Sequence, residues 1–270
     1  MQGRRHQARA EVTYRTGHVG TVDYYTSRCS YGDSSMVVYR FPCLQPKSGP
    51  DFVLVHGIGV SARSYGPTAA ALAEHGDVYL LDLPGYGRSP RPDRDMTIAD
   101  HARIVGRFLT DTNLDHPVVV GHSMGTQVVL QMAADFPDQL DHLALIAPVL
   151  APETRSILTA TGLLLRNGLR EPPLVMGEAM VDYLFRAGIP YMIQQTPHLL
   201  TTDLEELAAV VSALTLVICG KDDPIVPLEW ARQLSERFER GWFATVPGPH
   251  ASMFAAPQLI ADLLDEHAHR

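Results

Sequence analysis

A serine flanked by glycines is the strongest candidate for chemistry in this sequence. Ser123 lies at the centre of Gly-His-Ser-Met-Gly at residues 121–125, directly after the apolar run at residues 117–120 and before a helix-like stretch. The Gly-x-Ser-x-Gly pattern alone is common, but a strand, a tight turn and a helix around it indicate a nucleophile elbow. The glycines leave room for a sharp turn that holds the serine at an unfavourable backbone angle and exposes its hydroxyl. The segment therefore predicts a catalytic serine.

A serine hydroxyl needs a base that takes its proton and an acid that orients the base. Among twelve histidines, His250 follows the last predicted strand and precedes the last predicted helix. Since parallel strands bring their carboxyl ends to one edge of a sheet, His250 can face Ser123 there. By the same reasoning, Asp222 and Asp223 compete as the acid, because both follow the strand at residues 214–219. The proline after Asp223 holds that residue extended and modestly favours it.

The negative charge that develops on a substrate carbonyl oxygen requires hydrogen-bond donors already aimed at it. The backbone N–H of Met124, the first residue after the serine, is one candidate. The other is the N–H of Ile58, in the His-Gly-Ile-Gly loop at residues 56–59 after the apolar run at residues 52–55. This loop lacks the Gly-Lys-Ser/Thr ending of a P-loop and the spacing of a dinucleotide fingerprint, so phosphate binding is disfavoured.

The elements that position these residues alternate along the chain. Short runs rich in Val, Ile and Leu predict strands buried on both faces, with helix-like stretches between them. The strand runs are residues 52–55, 78–81, 118–120, 143–146, 214–218 and 242–246, and the helical stretches are residues 67–75, 98–112, 127–136, 230–238 and 259–267. This alternation predicts an α/β fold with a mostly parallel sheet and helices on both faces. Residues 11–41 are expected to add one or two antiparallel edge strands.

One interval, residues 151–202, interrupts the alternation. Prolines divide it into short apolar stretches, and it carries no clear strand pattern. We expect a helical cap over the site, inserted between two strands, with the core formed by residues 1–150 and 203–270. The apolar composition of the cap favours a small to medium, largely uncharged substrate.

Length and composition fit a globular enzyme. The chain has 270 residues, of which 46% are hydrophobic and 19% charged, and its net charge is -8. The sequence has no basic stripe, so nucleic acid is not expected as a partner. It shows neither a secretory signal nor an apolar run of membrane-spanning length, which favours a cytoplasmic protein. Three scattered cysteines do not suggest a disulfide framework or a zinc site, and the serine chemistry needs no metal or cofactor.

These pieces together make the chain similar to the α/β-hydrolase superfamily from about residue 36 onwards. The resemblance rests on the loop at residues 56–59, Asp-Leu-Pro-Gly-Tyr-Gly-Arg-Ser at residues 82–89, Gly-x-Ser-x-Gly at residues 121–125, Gly220 with Asp223, and His250. It implies an eight-stranded, mostly parallel sheet with the cap between strands 6 and 7. It also supports Asp223 over Asp222 as the acid.

The resemblance extends to residues beside the chemistry and includes one departure. It implies a structural role for Asp82 and supporting roles at most for His56 and His122. Pro249 stands where the family usually has glycine before the catalytic histidine. Since proline stiffens the loop, it changes how His250 is presented.

The nucleophile separates branches of the superfamily. A serine at position 123 argues against haloalkane dehalogenases and epoxide hydrolases, which use an aspartate. We predict a serine hydrolase, a carboxylesterase that cleaves a small-molecule ester or a related acyl substrate. One alternative is a C–C bond hydrolase of a ring-cleavage pathway, and another is a ligand-binding protein of this fold with little turnover. The motifs do not separate esterases from thioesterases, lactonases or cofactor-free haloperoxidases, because selectivity depends on the cap and pocket.

Overall fold

A nine-stranded sheet forms the centre of the protein in the computed structural model, which describes residues 11–45, 49–114, 116–149 and 188–270. The strands are β1 (Glu11–Val19), β2 (Val22–Tyr31), β3 (Ser34–Phe41), β4 (Phe52–Val55), β5 (Val78–Asp82), β6 (Val118–His122), β7 (His142–Ile146), β8 (Leu214–Gly220) and β9 (Gly241–Val246). Their spatial order is β1-β2-β3-β5-β4-β6-β7-β8-β9. Strands β4 to β9 pair in parallel, whereas β1, β2 and β3 pair antiparallel and β3 joins β5 antiparallel. The predicted fold class is confirmed.

Eight helices are described around this sheet. They are α1 (Gly66–Leu72), α2 (Ile98–Thr112), α3 (Met124–Asp135), α4 (Ile189–Thr201), α5 (Leu204–Ala208), α6 (Leu228–Ser235), α7 (Ser252–Ala255) and α8 (Pro257–Ala268), with 3-10 turns at Ala62–Tyr65 and Pro137–Gln139. Helix α2 packs against α3, and α1 packs against α8. The central strands β4 and β6 are buried along their whole length, which explains their continuous apolar sequence.

The amino-terminal region corrects the expected strand number. It contributes three antiparallel strands instead of one or two, so the sheet has nine strands and not eight. Two-residue turns join them, with Gly20 at φ +58 and Gly32 at φ +66. Strand β2 is buried at only three of its ten residues, Val22, Thr26 and Tyr31, and four others are exposed. Unlike the central strands, β2 therefore has no continuous apolar run.

The predicted cap, residues 151–202, lies outside the described residues except for its last part, residues 188–202. That part contains α4, which is anchored to the loop after β5. The hydroxyl of Tyr191 donates to the carbonyl oxygen of Pro84 at 3.0 Å, and its ring covers Gly85, where a Cβ would overlap it. In the part of the chain that the structure describes, no helix has the length and apolar character needed to cross a bilayer.

Candidate active site

Ser123 occupies the turn between β6 and α3 in a strained backbone conformation. Its φ is +54°, a value that residues other than glycine rarely adopt. The N–H and the hydroxyl of Thr126 donate to the Ser123 carbonyl oxygen at 3.0 and 2.6 Å. The N–H of Ser123 donates to the carbonyl oxygen of Ile146 at 3.0 Å. These bonds hold the turn in the conformation that the sequence predicts for a nucleophile elbow.

The glycines on either side of Ser123 are required by close backbone packing. A Cβ on Gly121 would overlap the carbonyl oxygen of Gly125. A Cβ on Gly125 would overlap the carbonyl oxygen of Val55, the last residue of β4. Because both positions exclude a side chain, the start of α3 can lie directly against the carboxyl end of β4.

The predicted base and acid meet in a buried contact at the same edge of the sheet. Nδ1 of His250 lies 2.8 Å from Oδ2 of Asp223, and the two side chains are 8% and 0% exposed. The two residues follow β9 and β8, which are neighbours in the sheet. Because an ionised carboxylate only accepts hydrogen bonds, the imidazole donates from Nδ1. Nε2 is then the nitrogen that can accept a proton.

Two backbone donors fix the carboxylate of Asp223. Its Oδ1 accepts from the N–H groups of Ile225 and Val226 at 2.7 and 3.1 Å. Burial acts to raise the pKa of Asp223, but the neighbouring His250 and these hydrogen bonds outweigh burial and lower the pKa below its ordinary value. Asp222, the competing candidate from the sequence, is exposed. The structure thus brings the buried Asp223 to His250.

The loop after β4, which carries Ile58, lies against the serine. A Cβ on Gly57 would lie 2.8 Å from Cβ and 3.3 Å from Oγ of Ser123. His56 holds this loop: its Nε2 accepts from the N–H of Leu83 at 3.1 Å, so Nδ1 carries the proton and donates to the Gly57 carbonyl oxygen at 2.8 Å. That bond fixes the peptide group between Gly57 and Ile58, to which the N–H of Ile58 belongs. The N–H of Met124 belongs to the first residue of α3.

Asp82, fully buried at the end of β5, makes the structural contacts that the resemblance implies. Its carboxylate accepts from the Tyr39 hydroxyl at 2.9 Å and from the N–H groups of Ala62 and Arg88 at 2.8 Å each. Gly87 lies at φ +57, and a Cβ there would overlap the carboxylate. Asp82 therefore ties the turn after β5 to β3 and to the segment after β4.

We searched the described residues for a cluster that could bind a metal ion. Among these residues, no group of three or more histidines, cysteines, aspartates and glutamates is placed to hold an ion. Cys29, Cys43 and Cys219 are all free thiols.

Comparison with known proteins finds a matching family model and several relatives. A family model described as "alpha/beta hydrolase fold" matches residues 50–171. A RutD protein of Variovorax paradoxus, whose name assigns it to carbamate hydrolysis, is 30% identical over 247 residues, which span 82% of this chain and 92% of that protein. An uncharacterized protein of Mycobacterium tuberculosis is 35% identical over 100 residues, but the match covers only 29% of its length and 37% of this chain.

Solved structures share the fold at low sequence identity. The enol-lactonase of Burkholderia xenovorans superposes with a TM-score of 0.76 at 18% identity, over 90% of this chain and 100% of that chain. A thermophilic esterase of Thermogutta terrifontis superposes with a TM-score of 0.73 at 19% identity, over 94% and 97%. These structures share the architecture, while the substrate is a separate question.

Proposed function

Because the chain belongs to the α/β-hydrolase superfamily, we propose that it is a serine hydrolase that cleaves a carboxylic ester or a related acyl substrate. The observation that carries the proposal is the contact of 2.8 Å between Nδ1 of His250 and Oδ2 of Asp223. It lies at the sheet edge where Ser123 is held at positive φ. A buried imidazole–carboxylate pair is the arrangement that activates a serine hydroxyl.

In the proposed first half-reaction, Oγ of Ser123 attacks the carbonyl carbon while Nε2 of His250 accepts the hydroxyl proton. The carbonyl oxygen becomes negatively charged and accepts hydrogen bonds from the N–H groups of Ile58 and Met124. The tetrahedral intermediate then breaks its bond to the leaving oxygen, which receives the proton from His250. An alcohol departs, and the acyl group stays on Ser123.

In the second half-reaction, water attacks the acyl carbonyl while His250 accepts a proton from the water. The bond to Oγ of Ser123 breaks, Oγ takes the proton back from His250, and the carboxylic acid leaves. Asp223 stays ionised throughout, because its pKa is lowered, and it stabilises the imidazolium. The reactants are the substrate and water, so this scheme needs no cofactor. The cytoplasmic location expected from the sequence stays a prediction.

Carbamate hydrolysis is a second candidate, favoured by two relatives that the chain covers over more than four fifths of their length. RutD proteins named for this activity are matched over 92% of their length in Variovorax paradoxus and 84% in Serratia proteamaculans. A carbamate carbonyl accepts the same attack by Ser123, and the carbamoyl group would then be hydrolysed in the same way. The carbonyl of a carbamate is less electrophilic than that of an ester, so rates with comparable leaving groups distinguish the two substrates.

A substrate panel tests the proposal. Turnover is measured with p-nitrophenyl acetate, a p-nitrophenyl carbamate and a dienoic diketone of the ring-cleavage type, using the wild type and Ser123→Ala. We expect ester hydrolysis that falls by about 10⁴-fold or more in Ser123→Ala. Preference for the carbamate would favour the second candidate, and preference for the diketone would favour C–C bond hydrolysis. Tight ligand binding without turnover would favour a binding protein, and equal rates in both variants would overturn a serine mechanism.

A further inference from the structure

His122, next to the proposed nucleophile, contacts the main chain of the proposed base. Its Nε2 lies 3.0 Å from the carbonyl oxygen of His250, and the centroids of the two imidazole rings are 4.8 Å apart. His122 is the last residue of β6 and is 4% exposed. One buried contact therefore joins the turn that carries Ser123 to the loop that follows β9.

This contact determines where the proton of His122 lies. A carbonyl oxygen only accepts, so Nε2 of His122 is the donor and Nδ1 of the neutral ring carries no hydrogen. Among the described residues, Nδ1 has no hydrogen-bond partner. Burial and the neighbouring His250 lower the pKa of His122 to about 3. His122 therefore remains a neutral donor at the pH at which an ordinary histidine changes its charge.

The loop before His250 is held on both sides of its proline. The carbonyl oxygen of Gly248 accepts from the N–H of Asp222 at 3.1 Å, and that of His250 accepts from His122. Between them lies Pro249, whose φ is fixed by its ring and which has no N–H to donate. Hydrogen bonds to the carbonyl groups of the two residues beside Pro249 leave the main chain of His250 little freedom.

We propose that His122 is a positioning residue for the proposed base, because its Nε2–H holds the main chain of His250 while Asp223 holds the ring. The inference rests on the proposed function, in which His250 carries protons to and from Ser123. Side chain and main chain of His250 then have separate anchors, at 2.8 Å and 3.0 Å. Losing the main-chain anchor moves Nε2 of His250 relative to Oγ of Ser123, which slows proton transfer more than it weakens substrate binding.

The test is a double-mutant cycle on p-nitrophenyl acetate hydrolysis. The variants are His122→Leu, His250→Ala, the double variant, and His122→Gln, whose side-chain amide keeps an N–H near the position of Nε2. We expect His122→Leu to lower kcat by about 10- to 100-fold, since small displacements of reacting groups have effects of that size, with KM changed less than about twofold. His122→Gln should recover most of the loss. In the His250→Ala background, His122→Leu should change kcat by less than about twofold.

Three results would overturn the inference. One is an equal loss from His122→Leu with and without His250, and another is a glutamine variant no better than the leucine variant. The third needs no variant: long-range ¹H–¹⁵N spectra of the wild type should show the Nε2–H tautomer of His122, and an Nδ1–H tautomer contradicts the contact. If His250→Ala itself retains wild-type kcat, the proposed function fails, and this outcome is distinct from the other three.

Discussion

His250 and His267 are both buried histidines near the carboxyl end of the chain, but their ring nitrogens have different partners. Nδ1 of His267 accepts from the indole N–H of Trp242 at 3.0 Å, and Nε2 donates to the carbonyl oxygen of Leu143 at 3.0 Å. Taking up a proton would break the bond to Trp242. Nδ1 of His250 instead meets the Asp223 carboxylate, which stabilises a positive ring. The partner, more than burial, separates a candidate base from a core histidine.

Substituting glutamine for each histidine tests most strongly whether His250 and His267 have different roles. We expect His250→Gln to lower kcat/KM by about 10⁴-fold or more, because the base is lost, while the protein stays folded. His267→Gln should keep kcat/KM within about threefold but lower the free energy of unfolding by about 2 kcal/mol, because buried hydrogen-bond partners lose their geometry. Ester hydrolysis and urea unfolding provide the two measurements. A folded His267→Gln protein without activity, or an active His250→Gln protein, contradicts the distinction.

Asp223 and its neighbour Asp222 allow a matched test of the carboxylate that contacts His250. Asp223→Asn should lower kcat/KM by about 10³- to 10⁴-fold, since an amide no longer selects the reactive tautomer or stabilises the imidazolium. Asp222→Asn removes the same charge from an exposed neighbour, and its rate should stay within about twofold of the wild type. Steady-state ester hydrolysis measures kcat/KM for both variants. Equal losses in both variants would mean that net charge, and not the contact with His250, sets the rate.

Gly57 tests whether the loop after β4 belongs to the site. A Cβ at this position would lie 2.8 Å from Cβ of Ser123, so Gly57→Ala must shift the loop or the serine by several tenths of an ångström. We expect kcat/KM to fall by about 10- to 100-fold, because the proposed donor at Ile58 and the nucleophile no longer have their relative positions. Thermal unfolding of the same variant separates this effect from a general loss of structure. An unchanged rate would remove Ile58 from the proposed oxyanion hole.

The smallest expected effect concerns His267 and the free energy of unfolding alone. Burial and nearby His142 lower the pKa of His267 from 6.5 to about 4 in the folded protein. Between these values the unfolded chain binds more protons, so the free energy of unfolding falls as the pH falls. From pH 6.5 to pH 5.5 this residue should account for a loss of about 1 kcal/mol. Urea unfolding of the wild type and His267→Gln checks this, and identical pH dependence in both contradicts it.

The sequence predicts elements well where local chemistry sets their limits. Helix α2 has the predicted bounds, because Thr97 and Asp100 form a reciprocal cap and Asn113 ends the helix in the left-handed conformation. Helix α3 begins three residues earlier than expected. Its first turn includes Gly125, and glycine is a residue typical of turns. Residues 11–41 form one more strand than expected, because β2 is mostly exposed or half-buried and lacks a continuous apolar run.

The sequence predicts the residues of the candidate site, except where the choice between residues depends on tertiary contacts. Parallel strands bring the residues after β6, β8 and β9 to one edge, so the sequence alone can bring Ser123, Asp223 and His250 together. It distinguishes Asp223 from Asp222 only weakly, because burial and the donors to the carboxylate depend on the folded loop. The contact of His122 with the main chain of His250 joins residues 128 positions apart, and no local pattern predicts it.

An activated nucleophile at Ser123 is tested most directly by labelling with a fluorophosphonate, with the modified residue mapped by mass spectrometry. We predict rapid formation of a single adduct on Ser123, no adduct in Ser123→Ala, and slow labelling in His250→Gln, where the base is missing. An adduct on another residue, or a folded wild-type protein that does not react, would contradict the proposed serine mechanism.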